Sequence, residues 1–282
     1  MMKIKFKKTL KIIIAVLSLI TVTVSTAPTV VSPAMTQAKT SHAKVHKHKK
    51  AKKKKSSYLV VKTVKDFKPG YKYTYSFKKN AYIGRKIKNY RPVNQVPKVQ
   101  KANSNYPVPT VKNFTAKLLN KYHVKGFRWP QTKITYNDSA LSAKQQQLTA
   151  VAIKQINKLK IVKLTRSTGK ANITFELGTT TENKLGSTEV EYAYKYKNIG
   201  LIDQADITIY NGNITANSNY DLLFNYVVLH EVGHALGLDH NEYDKHEIMA
   251  PSVNDSEITT NDNLHPVVDQ DYINALAVLY QN

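Results

Sequence analysis

No cysteine occurs in the 282 residues of this chain. That excludes disulfide scaffolds, thiol nucleophiles, Cys-ligated zinc, iron–sulfur clusters and an N-terminal lipoprotein cysteine. Acidic residues are nearly missing from the first 110 positions, where Asp66 stands alone against 26 Lys and Arg. Residues 111–282 hold 17 basic and 18 acidic side chains, so the net charge of +24 belongs to the N-terminal third. A uniformly basic nucleic-acid-binding fold is thereby disfavoured, and no nucleic-acid partner is expected. Long apolar runs are absent after residue 24. No later stretch therefore reaches the roughly 20 residues of a membrane span.

The residues present divide the chain into four parts. Lys3, Lys5, Lys7, Lys8 and Lys11 precede an apolar run from Ile12 to Val24, followed by small residues. This is the pattern of a signal peptide, expected over 1–38, with Thr36-Gln37-Ala38 or Ser32-Pro33-Ala34 as cleavage sites. An uncleaved anchor is the competing reading; after signal removal no stable membrane span is expected. Residues 39–55 carry nine Lys and three His. Such a run self-repels and buries nothing, so it reads as disordered, either a plain linker or a contact to an anionic cell-wall polymer. Residues 56–110 are rich in Tyr and Lys, with Tyr71, Tyr73, Tyr75 and Phe77 alternating. They read as a propeptide, a spacer or a small β module. Pro92, Pro97, Pro107 and Pro109 mark an extended linker.

From about Val111 the pattern is α+β, in one domain expected over 111–282. Ser142 and Gln145 form a capping box, and Leu148, Ala152, Ile156 and Leu159 follow at helical spacing. Alternating apolar residues predict about five strands around Ile134–Tyr136, Val162–Leu164, Ile173–Leu177, Val190–Tyr196 and Ile207–Ile209. A second helix is predicted over Asp221–Leu236. A third, capped by Asp269, buries Ile273, Leu276, Ala277 and Tyr280.

The most specific stretch runs from His230 to His240 and reads H-E-x-x-H-x-x-G-x-x-H. The five fixed residues are expected by chance on the order of 10⁻⁵ times in a chain of this composition. On a helix, positions i and i+4 share a face, so His230 and His234 can present imidazole nitrogens to one zinc ion. Gly237 can end the helix at positive φ and let His240 return as a third ligand. Three neutral ligands leave the fourth zinc position open to water, whose pKa the ion lowers to about 7. Glu231 is placed as general base for that water.

With Ile248-Met249-Ala250-Pro251 nine residues further on, this motif resembles the metzincin metallopeptidases, and the matrixin branch most closely. The resemblance covers residues 111–282 and is strongest over 220–282. It implies a zincin-like α+β domain: a twisted five-stranded mixed sheet with one antiparallel edge strand, and three helices. It implies a secreted zinc metalloendopeptidase, with Glu231 catalytic, one zinc on His230, His234 and His240, and Met249 in a structural Met-turn beneath them. Extended peptide or protein substrates add to the edge strand, placed about Leu185–Tyr192. Pro251 and Tyr192 are the candidates for the substrate pocket. The Cys latency switch of vertebrate members is impossible here. Only His123 precedes His230 in the domain, so no second zinc is expected; structural calcium on Asp203, Asp206 or backbone carbonyls stays open, although no loop carries a clear calcium pattern. Two other readings remain: a non-catalytic surface protein held by its basic N-terminal region, and a metal-dependent hydrolase acting on a bond other than a peptide.

Overall fold

The structure, a computed structural model, describes residues 58–68, 70–87, 97–179, 184–215, 219–253 and 258–282. The chain divides into the units Met1–Lys53 and Lys54–Asn282, and all of these residues lie in the second. The expected signal peptide and the Lys/His-rich segment fall outside them, as does Pro92 of the expected linker. Among the described residues no helix is long and apolar enough to cross a membrane.

In chain order the strands are β1 (Tyr58–Val61), β2 (Tyr71–Ser76), β3 (Ala81–Lys86), β4 (Phe127–Arg128), β5 (Lys133–Asn137), β6 (Lys163–Arg166), β7 (Ile173–Leu177), β8 (Gly186–Tyr196) and β9 (Ile199–Ile209). The helices are α1 (Ala116–Lys121), α2 (Ala143–Lys158), α3 (Asn211–Thr215), α4 (Tyr220–Leu236) and α5 (Gln270–Tyr280). The three helices foreseen are α2, α4 and α5; α1 and α3 are short additions.

Five strands were expected, and the described residues form one sheet of nine. The expected five are β5, β6, β7, β8 and β9, with β8 alone antiparallel to its neighbour β9. The difference has two sources. Strand β4 is two residues long and has no periodicity to read; it pairs parallel with the start of β9. The Tyr/Lys-rich segment supplies β1, β3 and β2, and these extend the same sheet. Strand β2 pairs with β8 at Tyr73↔Tyr192 and Thr74↔Glu191. The strand assigned as the edge is therefore paired on both sides over part of its length.

Local sequence explains the helices. Ser142 N–H donates to the Gln145 side chain at 2.8 Å, and Gln145 N–H turns back to Ser142 Oγ. This reciprocal cap satisfies two donors that lack helical partners. Leu148, Ala152 and Ile156 are buried, as their spacing predicts. Helix α4 is different, because apolar residues cover it all round and it is buried on every side. It runs behind the sheet, against α2, β8 and β9.

The last carbonyls of α4 are answered from elsewhere. Trp129 Nε1 donates to Ala235 O at 2.9 Å, and Tyr280 Oη of α5 donates to Leu236 O at 3.0 Å. Asp269 caps α5 as predicted, accepting from Tyr272 N–H at 2.7 Å, and its second oxygen accepts from Ile248 N–H at 2.8 Å. One carboxylate thus joins a helix start to the turn before Met249. Asp269→Ala should lower stability by about 1–2 kcal/mol, the usual cost of a lost cap plus a stranded donor. Urea unfolding reads it, and an unchanged midpoint would refute this double role.

Candidate metal centre and active site

Helix α4 places His230 and His234 one turn apart, and Gly237 ends it. Gly237 has φ +107°, and a Cβ there would lie 2.2 Å from the Phe127 carbonyl oxygen. A glycine is required both by the dihedral and by the close approach of β4. The chain then turns and is strapped down by Lys125 N–H to Gly237 O at 2.9 Å and Asp239 N–H to His123 O at 2.7 Å. That return brings His240 to the helix. One ring nitrogen from each of His230, His234 and His240 falls within 4.8 Å of the others, and His234 Nε2 is 3.1 Å from His240 Nε2. Among the described residues this is the one group of three or more His, Asp or Glu able to hold a metal ion.

The ring tautomers follow from the neighbours. His230 Nδ1 is 2.7 Å from the Ile248 carbonyl oxygen, and His234 Nδ1 is 3.0 Å from the Leu238 carbonyl oxygen. A carbonyl only accepts, so each Nδ1 carries the proton. Each Nε2 keeps its lone pair for a cation, the usual orientation of a metal-binding imidazole. The donor set fits a metal ion on this ground alone.

Met249 is 4 % exposed and lies under the site. A Cβ on Gly233 would come within 2.5 Å of Met249 Sδ and 2.9 Å of Tyr272 Cε2. Gly233, inside the H-E-x-x-H stretch, is thus the point where the turn reaches the helix, a role its sequence position does not announce. The turn acts through its backbone as well. Ile248 O orients the first histidine, while Met249 O accepts from Asn241 N–H at 2.9 Å, beside the third.

Glu231 is 4 % exposed and points at β8. Thr188 Oγ1 lies 2.6 Å from its Oε2, and a Cβ on Gly186 would lie 2.6 Å from its Oε1. Strand β8 therefore holds the carboxylate in place with a hydroxyl and a missing side chain. Burial pushes the Glu231 pKa up to about 7, against the Thr188 hydrogen bond and the charge of Lys125. Burial pushes His230 down to about 4, and His234 and His240 down as well.

These shifts give a pH expectation. Protons compete with a metal only once the imidazoles charge, and burial moves that below the ordinary 6.5. Metal affinity should fall far less between pH 7 and 5.5 than the several hundredfold that three ordinary imidazoles would lose. Cobalt titration at several pH values measures it; a steep loss beginning at pH 6.5 would contradict the burial argument. In the metal-free protein the histidines favour the fold above 6.5 and withdraw that support as pH falls towards 4. Glu231, with its raised pKa, acts in the opposite sense between 4.5 and 7.

Sequence reasoning brought together His230, Glu231, His234, His240 and Met249, and the structure clusters all five. Tyr192 is 1 % exposed and lines a pocket beside His234. Pro251 is exposed beside Met249 and Ala250. Thr188, Gly186, Gly233 and Lys125 were not foreseen. Thr188, Gly186 and Lys125 act on the site from other segments, and Gly233 matters only because the Met249 turn packs beneath it, so no local pattern marks them.

A helix carrying two His and a Glu, a third His after a glycine turn, and a buried Met beneath them define a metalloprotease of the metzincin type. The chain matches the matrixin family model over residues 128–281, more than half its length, and belongs to that family. A solved structure of myroilysin is similar over 57 % of this chain and 98 % of its own, with 16 % identity and a TM-score of 0.35. No curated protein matches the chain.

Proposed function

We propose that the protein is an exported zinc-dependent endopeptidase that hydrolyses peptide bonds with Glu231 as general base. The observation that carries this reading is the buried Glu231 carboxylate, pinned by Thr188 beside three imidazoles whose ring nitrogens converge. His230, His234 and His240 would hold one zinc, for which imidazole nitrogens are ordinary ligands. When bound, the ion polarises the scissile carbonyl and acidifies water. Glu231 accepts the proton of the attacking water at a carboxylate oxygen. It then returns a proton to the leaving amine, so it starts and ends the cycle ionised. Thr188 keeps the carboxylate on the reacting side, and the Ile248 and Leu238 carbonyls keep the tautomers of His230 and His234. No side chain is placed as a nucleophile, so no acyl-enzyme forms.

The basic n-region and apolar run at the start of the chain support export. The nine lysines of residues 39–55 support electrostatic attachment to an anionic surface outside the cell.

The test is hydrolysis of casein by the full chain, before and after chelation, with zinc content measured. Activity should vanish on chelation and return with about one zinc per chain. A chain that binds zinc and leaves casein and other unfolded proteins intact would overturn the endopeptidase reading.

A further inference from the structure

The β2–β3 hairpin reaches the catalytic centre itself. Strand β2 pairs with β8 at Glu191 and Tyr192, while Glu231 meets β8 at Gly186 and Thr188. Between these levels lies a pocket of about 200 Å³. Tyr75 and Tyr82 of the hairpin, Val190 and Tyr192 of β8, and Phe127 of β4 wall it on the apolar side, while Thr188, Lys125, Asp239 and His234 supply its polar lining.

The hairpin is held by buried aromatic packing. Tyr73 is fully buried and stacks on Phe67 at 3.9 Å. Tyr82 meets Tyr192 edge-on at 5.7 Å, and Tyr192 lies 4.7 Å from Phe127. Tyr73, Tyr82, Tyr192 and Phe127 belong to the same hydrophobic core as α4. Lys72 adds ion pairs to Asp203 at 2.6 Å and Glu191 at 3.2 Å. Detaching the hairpin would open this core to water.

Its register sets what a substrate can do. A peptide added antiparallel to β8 in front of Glu231 continues the line of β2, with its N-terminal end towards β2. The hairpin occupies the places that residues further upstream would take on the ladder. The residue just before the scissile bond then sits over Thr188 and Val190, against the pocket. Four rings face that space, and aromatic rings pack favourably edge-to-face with a fifth.

We propose that the β2–β3 hairpin is a permanent wall of the active site, and that the pocket it closes receives an aromatic side chain from the substrate residue preceding the scissile bond. This rests on the peptidase reading above. It assigns the Tyr/Lys-rich segment to specificity, where the sequence left propeptide, spacer and β module open.

The test uses the full chain with two synthetic peptides differing only in Phe or Ala before the cleaved bond, a site first located by mass spectrometry of digested casein. The Phe peptide should be cleaved with kcat/KM at least about tenfold higher, and the ratio should fall towards one in Tyr75→Ala. The active species should retain residues 58–86 by mass. If Tyr75→Ala raises both rates together, the hairpin is a plug and the proposal fails. It fails equally if the active species begins after residue 97. Binding of both peptides to Glu231→Gln, read by calorimetry, is independent of turnover and of any folding defect in Tyr75→Ala. A Phe preference there keeps the pocket, and equal binding overturns it; if casein is left uncut, no such peptide can be designed and the peptidase reading falls first.

Discussion

Glu231→Gln should leave the metal bound and cut peptide hydrolysis by about 10²–10⁴-fold, the range expected for loss of a general base. The amide has the shape of the carboxylate and still offers an oxygen to Thr188, 2.6 Å away in the native chain. What it cannot do is take a proton from water. The three nitrogens that converge come from His230, His234 and His240, so removal of the Glu231 charge leaves the ligand set intact. Two measurements are needed together, kcat/KM on a peptide and zinc per chain. Activity close to wild type would place the base elsewhere, and loss of zinc would make Glu231 a ligand. The wild-type rate should also fall on the acid side as Glu231 protonates. Burial sets its pKa at about 7 in the metal-free chain. A dication beside it favours the carboxylate and moves the acid limb lower.

Gly237→Ala should be the most damaging single methyl in the protein. At φ +107° an alanine is strained by about 1–2 kcal/mol. Its Cβ would also stand 2.2 Å from the Phe127 carbonyl oxygen, so backbone must move, at roughly 1–3 kcal/mol more. The displaced segment carries His240, and the strand it presses on, β4, lines the pocket beside His234. Stability and metal affinity should therefore fall together, by about 3 kcal/mol and at least tenfold respectively. Gly169→Ala is the control: nothing lies within 4 Å of its Cβ position. Urea unfolding and zinc titration of the two variants separate a local clash from a general intolerance of alanine. Equal behaviour would dismiss the turn argument.

The sequence by itself picked out His230, Glu231, His234 and His240 and the helix that carries the first three. These depend on short-range geometry: i and i+4 on one helix face, a glycine three residues on, a cap at Ser142, another at Asp269. Spacing along the chain is enough to state them. It also determined five strands of the sheet, because β5 to β9 contain alternating apolar residues. Tertiary structure decided the rest. Thr188 and Gly186 reach Glu231 across 43 and 45 positions of chain, and only the packing of β8 on α4 joins them. Gly233 matters because Met249 Sδ arrives beneath it, and α4 shows no periodicity because it is buried on all sides. The hairpin was legible as alternating tyrosines, but its place was not. An exposed sheet edge accepts any strand, and which one docks depends on the aromatic surface that Tyr73 and Tyr82 find against Tyr192, more than 100 residues away.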